Sequence, residues 1–318
     1  MAERFTIARD SWDAARNVFV AVSREGVTGF GEVSPDEAPE AVVEQIGEVD
    51  LDRLGGPFDL EGLSLLLQAG AARCALDIAL HDLAGKLAGR SLGDLLGVGG
   101  RSAPPTSVTL PITEPDRMIE RAHAFVDHPI LKMKVGFEGD VDTVYRVREV
   151  YGGRIRIDAN EGWDPSTAVE RLGALEKADI ELCEQPIRAA DREALSSVSE
   201  STSIPIFADE SVRTSTDVAY LAGAVDGVNL KLRKAGGIRE TVKAIATARA
   251  HGLGVMLGCD LESGVAATAQ AHLGPLVDHL DIDGPLLLVE DPYPGVTYST
   301  GAVHRPGGPG LGLTRFPW

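Results

Sequence analysis

Cysteine is scarce. The 318 residues contain three, Cys74, Cys183 and Cys259, far apart and with no C-x-x-C pair. Neither a disulfide framework nor a thiolate zinc site is suggested, so a reducing, cytoplasmic setting is expected. Basic residues are also short: 30 Lys and Arg stand against 48 Asp and Glu, a net charge of −18. Such a surface repels phosphate backbones, which argues against nucleic acid and anionic membranes as partners. A cationic small molecule would be drawn in, though weakly at physiological salt. The seven histidines show no metal-ligand spacing.

Long apolar runs are missing as well. The stretch richest in Ala and Leu, Ala69 to Leu87, carries Arg73, Asp77, His81, Asp82 and Lys86, which excludes a membrane span. Arg73/Asp77 and Asp82/Lys86 are i,i+4 pairs, the pattern of a solvated helix face. Met1 to Asp10 is polar and charged and does not read as a secretory leader.

What is present is a rhythm. Apolar residues make up 44% of the chain, enough for a sizeable core. Residues 17–24 and 27–33 read as two strands joined by a Glu25-Gly26 turn, and helical patterns follow at 37–49 and 58–88. Ser91 to Pro105 is rich in Gly and Pro and reads as a linker. Beyond it, strand-like runs recur at 106–112, 130–135, 154–158, 180–184, 205–209, 226–231, 253–258 and 279–283. Helical patterns separate most of them, at 140–150, 166–177, 190–199, 215–223 and 237–251. Eight strands alternating with helices predict a (β/α)8 TIM barrel, or its (β/α)7β variant, over residues 106–285. Residues 1–105 are expected to form an α+β capping domain. The Gly- and Pro-rich segment 286–318 is expected to return to it.

In such barrels chemistry gathers at the C-terminal ends of the strands. Strand three ends on Asp158, in Ile155-Arg156-Ile157-Asp158-Ala159-Asn160-Glu161-Gly162-Trp163. Glu184 lies 26 residues further on and Asp209 another 25, each closing a short apolar run. Most acids at a strand end merely cap a turn. Three of them one βα unit apart can instead converge on one cation. Strand two delivers Lys132 and Lys134 on one face, strand six Lys231, strand seven Asp260, and strand eight Asp281 and Asp283. Buried salt bridges are the bland alternative, but so many ionisable groups at one mouth are costly to dehydrate. Three carboxylates without His or Cys make an oxygen-donor site, hence Mg²⁺ (or Mn²⁺) rather than zinc.

Lys134 and Lys231 stand across the barrel from one another. A divalent cation on carboxylate oxygens stabilises the enediolate formed when an α-proton leaves. A lysine beside other cations has a lowered pKa and can act as base. With one lysine on each face, one removes the proton and the other returns it, inverting the stereocentre.

These residues resemble the muconate-lactonizing-enzyme subgroup of the enolase superfamily. The resemblance is carried by Lys132-Met133-Lys134, Asp158-Ala159-Asn160, Glu184-Gln185-Pro186, Ala208-Asp209-Glu210-Ser211, and Asn229-Leu230-Lys231 with Gly236-Gly237. It covers nearly the whole chain. It implies Asp158, Glu184 and Asp209 as Mg²⁺ ligands, Lys134 and Lys231 as the acid/base pair, and Lys132 as a holder of the substrate carboxylate. Asp281-Ile282-Asp283-Gly284-Pro285 looks like the Asp-x-Asp of the dipeptide epimerases, where the pair binds the free α-ammonium of an L,L-dipeptide. The segment Gly295 to Gly312 looks like the end of these epimerases, and Thr109 matches a strand-one threonine that touches substrate there. A small-molecule partner is implied, in a family whose members are often homo-oligomers.

Three departures stand out. Relative to that family the chain opens about one strand late, at Glu3-Arg4-Phe5-Thr6. The loop after Gly31-Glu32-Val33, which closes over substrate in relatives, is shorter than usual. Asp260 stands where relatives often carry an apolar residue, and Asp10 aligns with an Arg of glutamate-preferring relatives. Two acids there point to a cationic substrate side chain. Sibling activities on the same metal and lysines are N-acylamino-acid racemisation, o-succinylbenzoate synthesis and muconate cycloisomerisation. Their substrates lack a free amine, so Asp281 and Asp283 argue against them. A catalytically silent metal- or peptide-binding barrel is disfavoured by the intact lysine pair.

Overall fold

The structure is a computed structural model that describes residue 1 and residues 4–313. Glu3 and the end of the C-terminal segment, residues 314–318, lie outside the described residues.

Eight parallel strands form one sheet in sequential order: Val108–Leu110, Ile130–Lys134, Arg154–Asp158, Ile180–Glu184, Ile206–Ala208, Gly227–Leu230, Gly254–Gly258 and His279–Asp281. A parallel bridge between Thr106 and Leu280 joins the first edge to the last and closes the barrel. α-Helices lie between successive strands, among them Asp140–Val150 and Ile238–Ala250. After strand eight the described residues carry a 3₁₀ turn, Gly284–Leu287, and the short antiparallel pair Thr297–Ser299 with Ala302–His304, but no α-helix. The barrel is therefore of the (β/α)7β form. A helix not expected from the sequence, Pro115–Ala124, fills the first crossover, with Pro115 at its first turn.

The N-terminal part carries the antiparallel pair Val18–Arg24 and Val27–Val33. Glu25 (φ 54°) and Gly26 (φ 77°) make its two-residue turn with positive φ at both positions, the conformation whose twist matches that of the flanking strands. Phe5–Thr6 pairs with Ser11–Trp12 in a second, very short ladder. The expected helix over 58–88 is broken into Leu63–Leu66 and Ala71–Ala88, with Gly70 between them. The expected linker contains the short helix Leu92–Leu95, started by Ser91 Oγ accepting from Asp94 N.

The Ala71–Ala88 helix lies between the hairpin and the barrel. The hairpin approaches it so closely that a Cβ on Gly31 would come within 2.0 Å of Ala75 O, so only glycine fits there. The expectation of a solvated charged face is corrected: Arg73, Asp77, His81 and Asp82 are all buried. Arg73 donates to Ala235 O (2.6 Å) and Gly236 O (3.1 Å). Asp77 Oδ1 accepts from Ile238 N at the start of helix Ile238–Ala250, favourable against the positive end of that helix. Asp82 does pair with Lys86 (2.6 Å), and also accepts from Phe30 N and Leu311 N. These charges look outward from the helix, but towards protein rather than water. Periodicity cannot tell the two apart.

Near its end the chain comes back to this helix through a bridge between Ser91 and Gly310 and a bond from Leu92 N to Gly310 O (2.7 Å). His272 joins the three parts. Its Nδ1 accepts from Gly93 N (3.1 Å) and its Nε2 lies 3.3 Å from Leu311 O. Among the described residues no helix is long and apolar enough to cross a membrane.

Burial holds the His272 imidazole at about 4, below its ordinary 6.5. The folded protein thus favours the neutral ring. Its contribution is complete above pH 6.5 and is lost as pH falls towards 4, by up to roughly 3 kcal/mol. Denaturant unfolding measured from pH 7 to pH 4 should show this loss, and His272→Gln should flatten it.

Candidate functional site

The strand register brings the acids and lysines together. Lys134 is opposite Asp158, and Asp158 is opposite Glu184, across adjacent parallel strands. Asp209 follows strand five directly, and Lys231 follows strand six. Asp281 closes strand eight beside Gly258 of strand seven. Of the nine candidates named at this mouth, Lys132, Lys134, Asp158, Glu184, Asp209, Asp281 and Asp283 are buried, while Lys231 and Asp260 keep side-chain exposures of 14% and 16%. Lys132, Lys134, Asp209, Lys231, Asp260, Asp281 and Asp283 border a cleft of about 780 Å³ roofed by the N-terminal segment around Ile7, Arg9 and Trp12.

Lys132 stands at the centre. Its Nζ lies 3.0 Å from Asp158 Oδ2, 2.7 Å from Glu184 Oε2 and 2.6 Å from Asp281 Oδ2. Lys134 Nζ donates to Asp158 Oδ2 (2.6 Å) and Asn160 Oδ1 (2.9 Å). Lys231 Nζ is 3.0 Å from Asp209 Oδ2. A residue not singled out from the sequence, Lys234, reaches Asp209 Oδ1 at 2.5 Å. It lies on the helical turn that starts after Lys231, and that turn is the one signal that could have found it.

Burial raises the pKa of every acid here, and the lysines decide the outcome. Burial opposes ionisation of Asp158, but Lys132 and Lys134 outweigh it and hold the group at about 2. Asp209 is held well below the usual carboxylate range by Lys231 and Lys234 against the same burial. Burial and the Asp158 charge push Glu184 up to about 8. Burial disfavours the Lys231 ammonium, yet Asp209 and Asp260 raise its pKa well above the ordinary value. As the side chains stand, Lys231 does not show the expected lowering: the pull of Asp209 and Asp260 outweighs both burial and the nearby Lys132.

As the side chains lie, no group of three or more His, Cys, Asp or Glu among the described residues stands in a metal-holding arrangement. The reason is visible: ammonium groups stand between the carboxylates that would have to meet. The donor chemistry nevertheless fits a hard cation. Asp158, Glu184 and Asp209 offer only oxygen. Glu184 Oε2 is buried and accepts no hydrogen bond, despite its nearness to Lys132. Together with the raised pKa of Glu184, this marks more negative charge than the lysines neutralise.

The loops after strands three and four are strained. Asn160 (φ 44°), Glu161 (φ 65°) and Gln185 (φ 33°) are left-handed without being glycine. Bonds to the site hold them there. Asn160 N donates to Asp158 Oδ1, and Gln185 Oε1 accepts from Asp209 N and Ser211 N. Asn229 Nδ2 donates to Glu184 Oε1 (2.7 Å), an orienting role the sequence did not announce.

Strand eight's pair is fixed from strand one. Ser107 Oγ donates to Asp281 Oδ1 (2.6 Å) and Thr109 N to Asp283 Oδ2 (2.7 Å). Burial and the neighbouring Asp281 push Asp283 up to about 6. Thr109 thus meets Asp283 through its backbone. Asp260, expected with Asp10 to face a cationic substrate side chain, is gripped by Arg233 with two bonds, 2.7 and 3.0 Å. Arg233 was not foreseen. Trp163 is buried away from the mouth, its Nε1 donating to Asp140 Oδ2.

Comparison with known proteins places this geometry. Residues 117–315 match the enolase C-terminal domain-like family, and residues 1–97 match the mandelate racemase / muconate lactonizing enzyme N-terminal domain. The chain is 36% identical to the L-Ala-D/L-Glu epimerase of Bacteroides thetaiotaomicron, over 98% of this chain and 84% of that one. It is 36% identical to the hydrophobic dipeptide epimerase of Roseobacter litoralis, over 96% and 93%. The L-Ala-D/L-Glu epimerase from Bacillus subtilis, solved with substrate, superposes with a TM-score of 0.92 at 31% identity, over 98% and 94% of the two chains. The dipeptide epimerase from Enterococcus faecalis, solved with Mg and L-Leu-L-Tyr, gives 0.91 at 33% identity, over 98% and 96%. A closed barrel with lysines on strands two and six, acids on strands three to five and a matching N-terminal domain lead to one conclusion: the chain belongs to the mandelate racemase / muconate lactonizing enzyme family of the enolase superfamily and is an isomerase of the epimerase/racemase kind.

Proposed function

We propose that this isomerase is a divalent-cation-dependent dipeptide epimerase, converting L,L-dipeptides to L,D-dipeptides by proton transfer at the C-terminal residue's α-carbon. The observation that carries the reading is the division of charge at the mouth. Two ammonium groups, Lys134 and Lys231, reach the acid cluster from different strands and through different acids, Asp158 and Asp209. A separate buried acid pair, Asp281 at the end of strand eight and Asp283 just beyond it, stands apart.

In this reading Asp158, Glu184 and Asp209 would hold Mg²⁺ (or Mn²⁺), which would supply positive charge that makes the enediolate accessible. Lys132 would hold the substrate carboxylate. Lys134 and Lys231 would face the α-carbon from opposite sides, one taking the proton and the other delivering one. As a ligand, Asp209 would favour the Lys231 ammonium less, which is what a base there requires. Asp281 and Asp283 receive the dipeptide's α-ammonium, with Thr109 and Ser107 keeping the pair in place. Mg and a dipeptide in the Enterococcus faecalis relative support the reading. A preference for a cationic side chain rests on Asp10 alone, since Asp260 is engaged by Arg233.

Pooled L,L-dipeptides in D₂O with Mg²⁺, followed by mass spectrometry, test the proposal and read the side-chain preference directly. One deuteron should appear at the second residue together with L,D product, and chelation of the metal should abolish both. Absence of any α-deuteration across the pool rules the function out. Asp281→Asn and Asp283→Asn should each lower turnover about tenfold or more while leaving Mg²⁺ affinity within about twofold, as loss of a charge-assisted bond to the ammonium alone would do. Parallel loss of metal affinity would contradict the ammonium role.

A further inference from the structure

Two chains of polar contacts connect the N-terminal domain to the barrel lysines, one to each. The first starts at Arg9. Its guanidinium contacts Glu161, and its Nη2 lies 2.8 Å from Glu210 Oε1. Glu210 Oε1 accepts from Asn160 Nδ2 (3.1 Å), and Asn160 Oδ1 accepts from Lys134 Nζ (2.9 Å). The second starts at Asp36, in the loop that follows the hairpin strand Val27–Val33. Asp36 meets Arg233 Nη1, Arg233 grips Asp260, and Asp260 Oδ1 stands 3.8 Å from Lys231 Nζ.

The intermediate residues are built for transmission. Asn160 is 4% exposed and Arg233 8% exposed, so neither is free to choose another rotamer at little cost. Asn160 is also fixed through its left-handed backbone and its bond to Asp158. The outer ends differ: side-chain exposure is 49% for Arg9 and 75% for Asp36. An exposed ion pair adds little stability by itself. Here each exposed partner reaches its lysine only through residues that are buried or nearly so, Glu210 (13% side-chain exposure) and Asn160 on one side, Arg233 and Asp260 (16%) on the other, and its effect is on geometry.

Resting on the two-lysine reading above, we infer that Arg9 and Asp36 are positioning residues, each of which orients one proton-transferring lysine from the N-terminal domain: Arg9 sets Lys134 through Glu210 and Asn160, and Asp36 sets Lys231 through Arg233 and Asp260. Docking of the two segments over the cleft and alignment of the two lysines are then one event. A segment that is displaced leaves its own lysine misaligned and the other one in place.

That asymmetry supplies the test. Return of a solvent deuteron without inversion needs only the lysine on the proton's own face. Epimerisation needs both. Exchange without inversion is measured in D₂O with Mg²⁺, separately from the L,L and the L,D epimer of one dipeptide, for wild type, Arg9→Met and Asp36→Ala. Both variants should lose epimerisation, roughly tenfold to a hundredfold, as expected for a misplaced reacting group. Exchange should fall mainly on one epimer in Arg9→Met and mainly on the other in Asp36→Ala, with Arg9→Lys and Asp36→Glu restoring part of each. Equal loss on both epimers, a bias of the same sense in both variants, or no loss overturns the inference. If wild type itself exchanges neither epimer of any dipeptide, the epimerase reading fails, an outcome distinct from the preceding ones.

Discussion

Everything at the barrel mouth depends on one constraint: carboxylates taken out of water must be answered by positive charge. Asp158, Glu184 and Asp281 share a single ammonium, that of Lys132; Asp158 has a second in Lys134, and Asp209 has two of its own, Lys231 and Lys234. Pairs this deeply buried regain their desolvation cost only with good geometry and extra hydrogen bonds. The bonds from Ser107, Thr109 and Asn229 supply these. Glu184 remains under-compensated, with one oxygen unbonded and its pKa pushed to about 8. Local stability is therefore poor where an extra cation would do most good, the usual relation between a strained, polar site and its function.

The same logic extends outward through arginine. Arg233 and Arg9 each bridge two acids that would otherwise repel. A guanidinium suits this because its donors are set in a fixed fork and its charge is not lost on burial. Around these two arginines charge is matched locally, although the chain as a whole carries −18. Net charge sets what the surface attracts at a distance; the pairing inside sets which groups can move a proton.

Much of this was legible in the sequence, and the residues show why. The barrel strands were readable because each is a short apolar run bounded by turn residues, and the strand-end acids followed from their spacing. Helix Asp140–Val150 falls where its pattern placed it, whereas Pro115–Ala124 was passed over because it is polar on average and buries only Met118 and Ala122. The charges of the Ala71–Ala88 helix were misread as solvated because i,i+4 spacing specifies a face but not what the face meets. Asp260 illustrates a harder limit. Its partner Arg233 is 27 residues away on another strand's loop, and no local pattern announces a bidentate pair across that distance. Arg9, Asp36 and Lys234 escaped notice for the same reason.

The buried helix Ala71–Ala88 has a consequence for how anything enters the cleft. Its Arg73 and Asp77 are bonded to the backbone at 235–238 on the barrel side, while Gly29 and Gly31 of the hairpin sit directly on its other face. Swinging the whole domain away would strip Arg73 of its two backbone acceptors, leave Asp77 only its His81 pair, and part faces that meet without slack. That makes the helix a poor place for a hinge. The segments around Arg9 and Asp36, whose side chains are 49% and 75% exposed, are held more lightly, two narrow leaves on a firm frame.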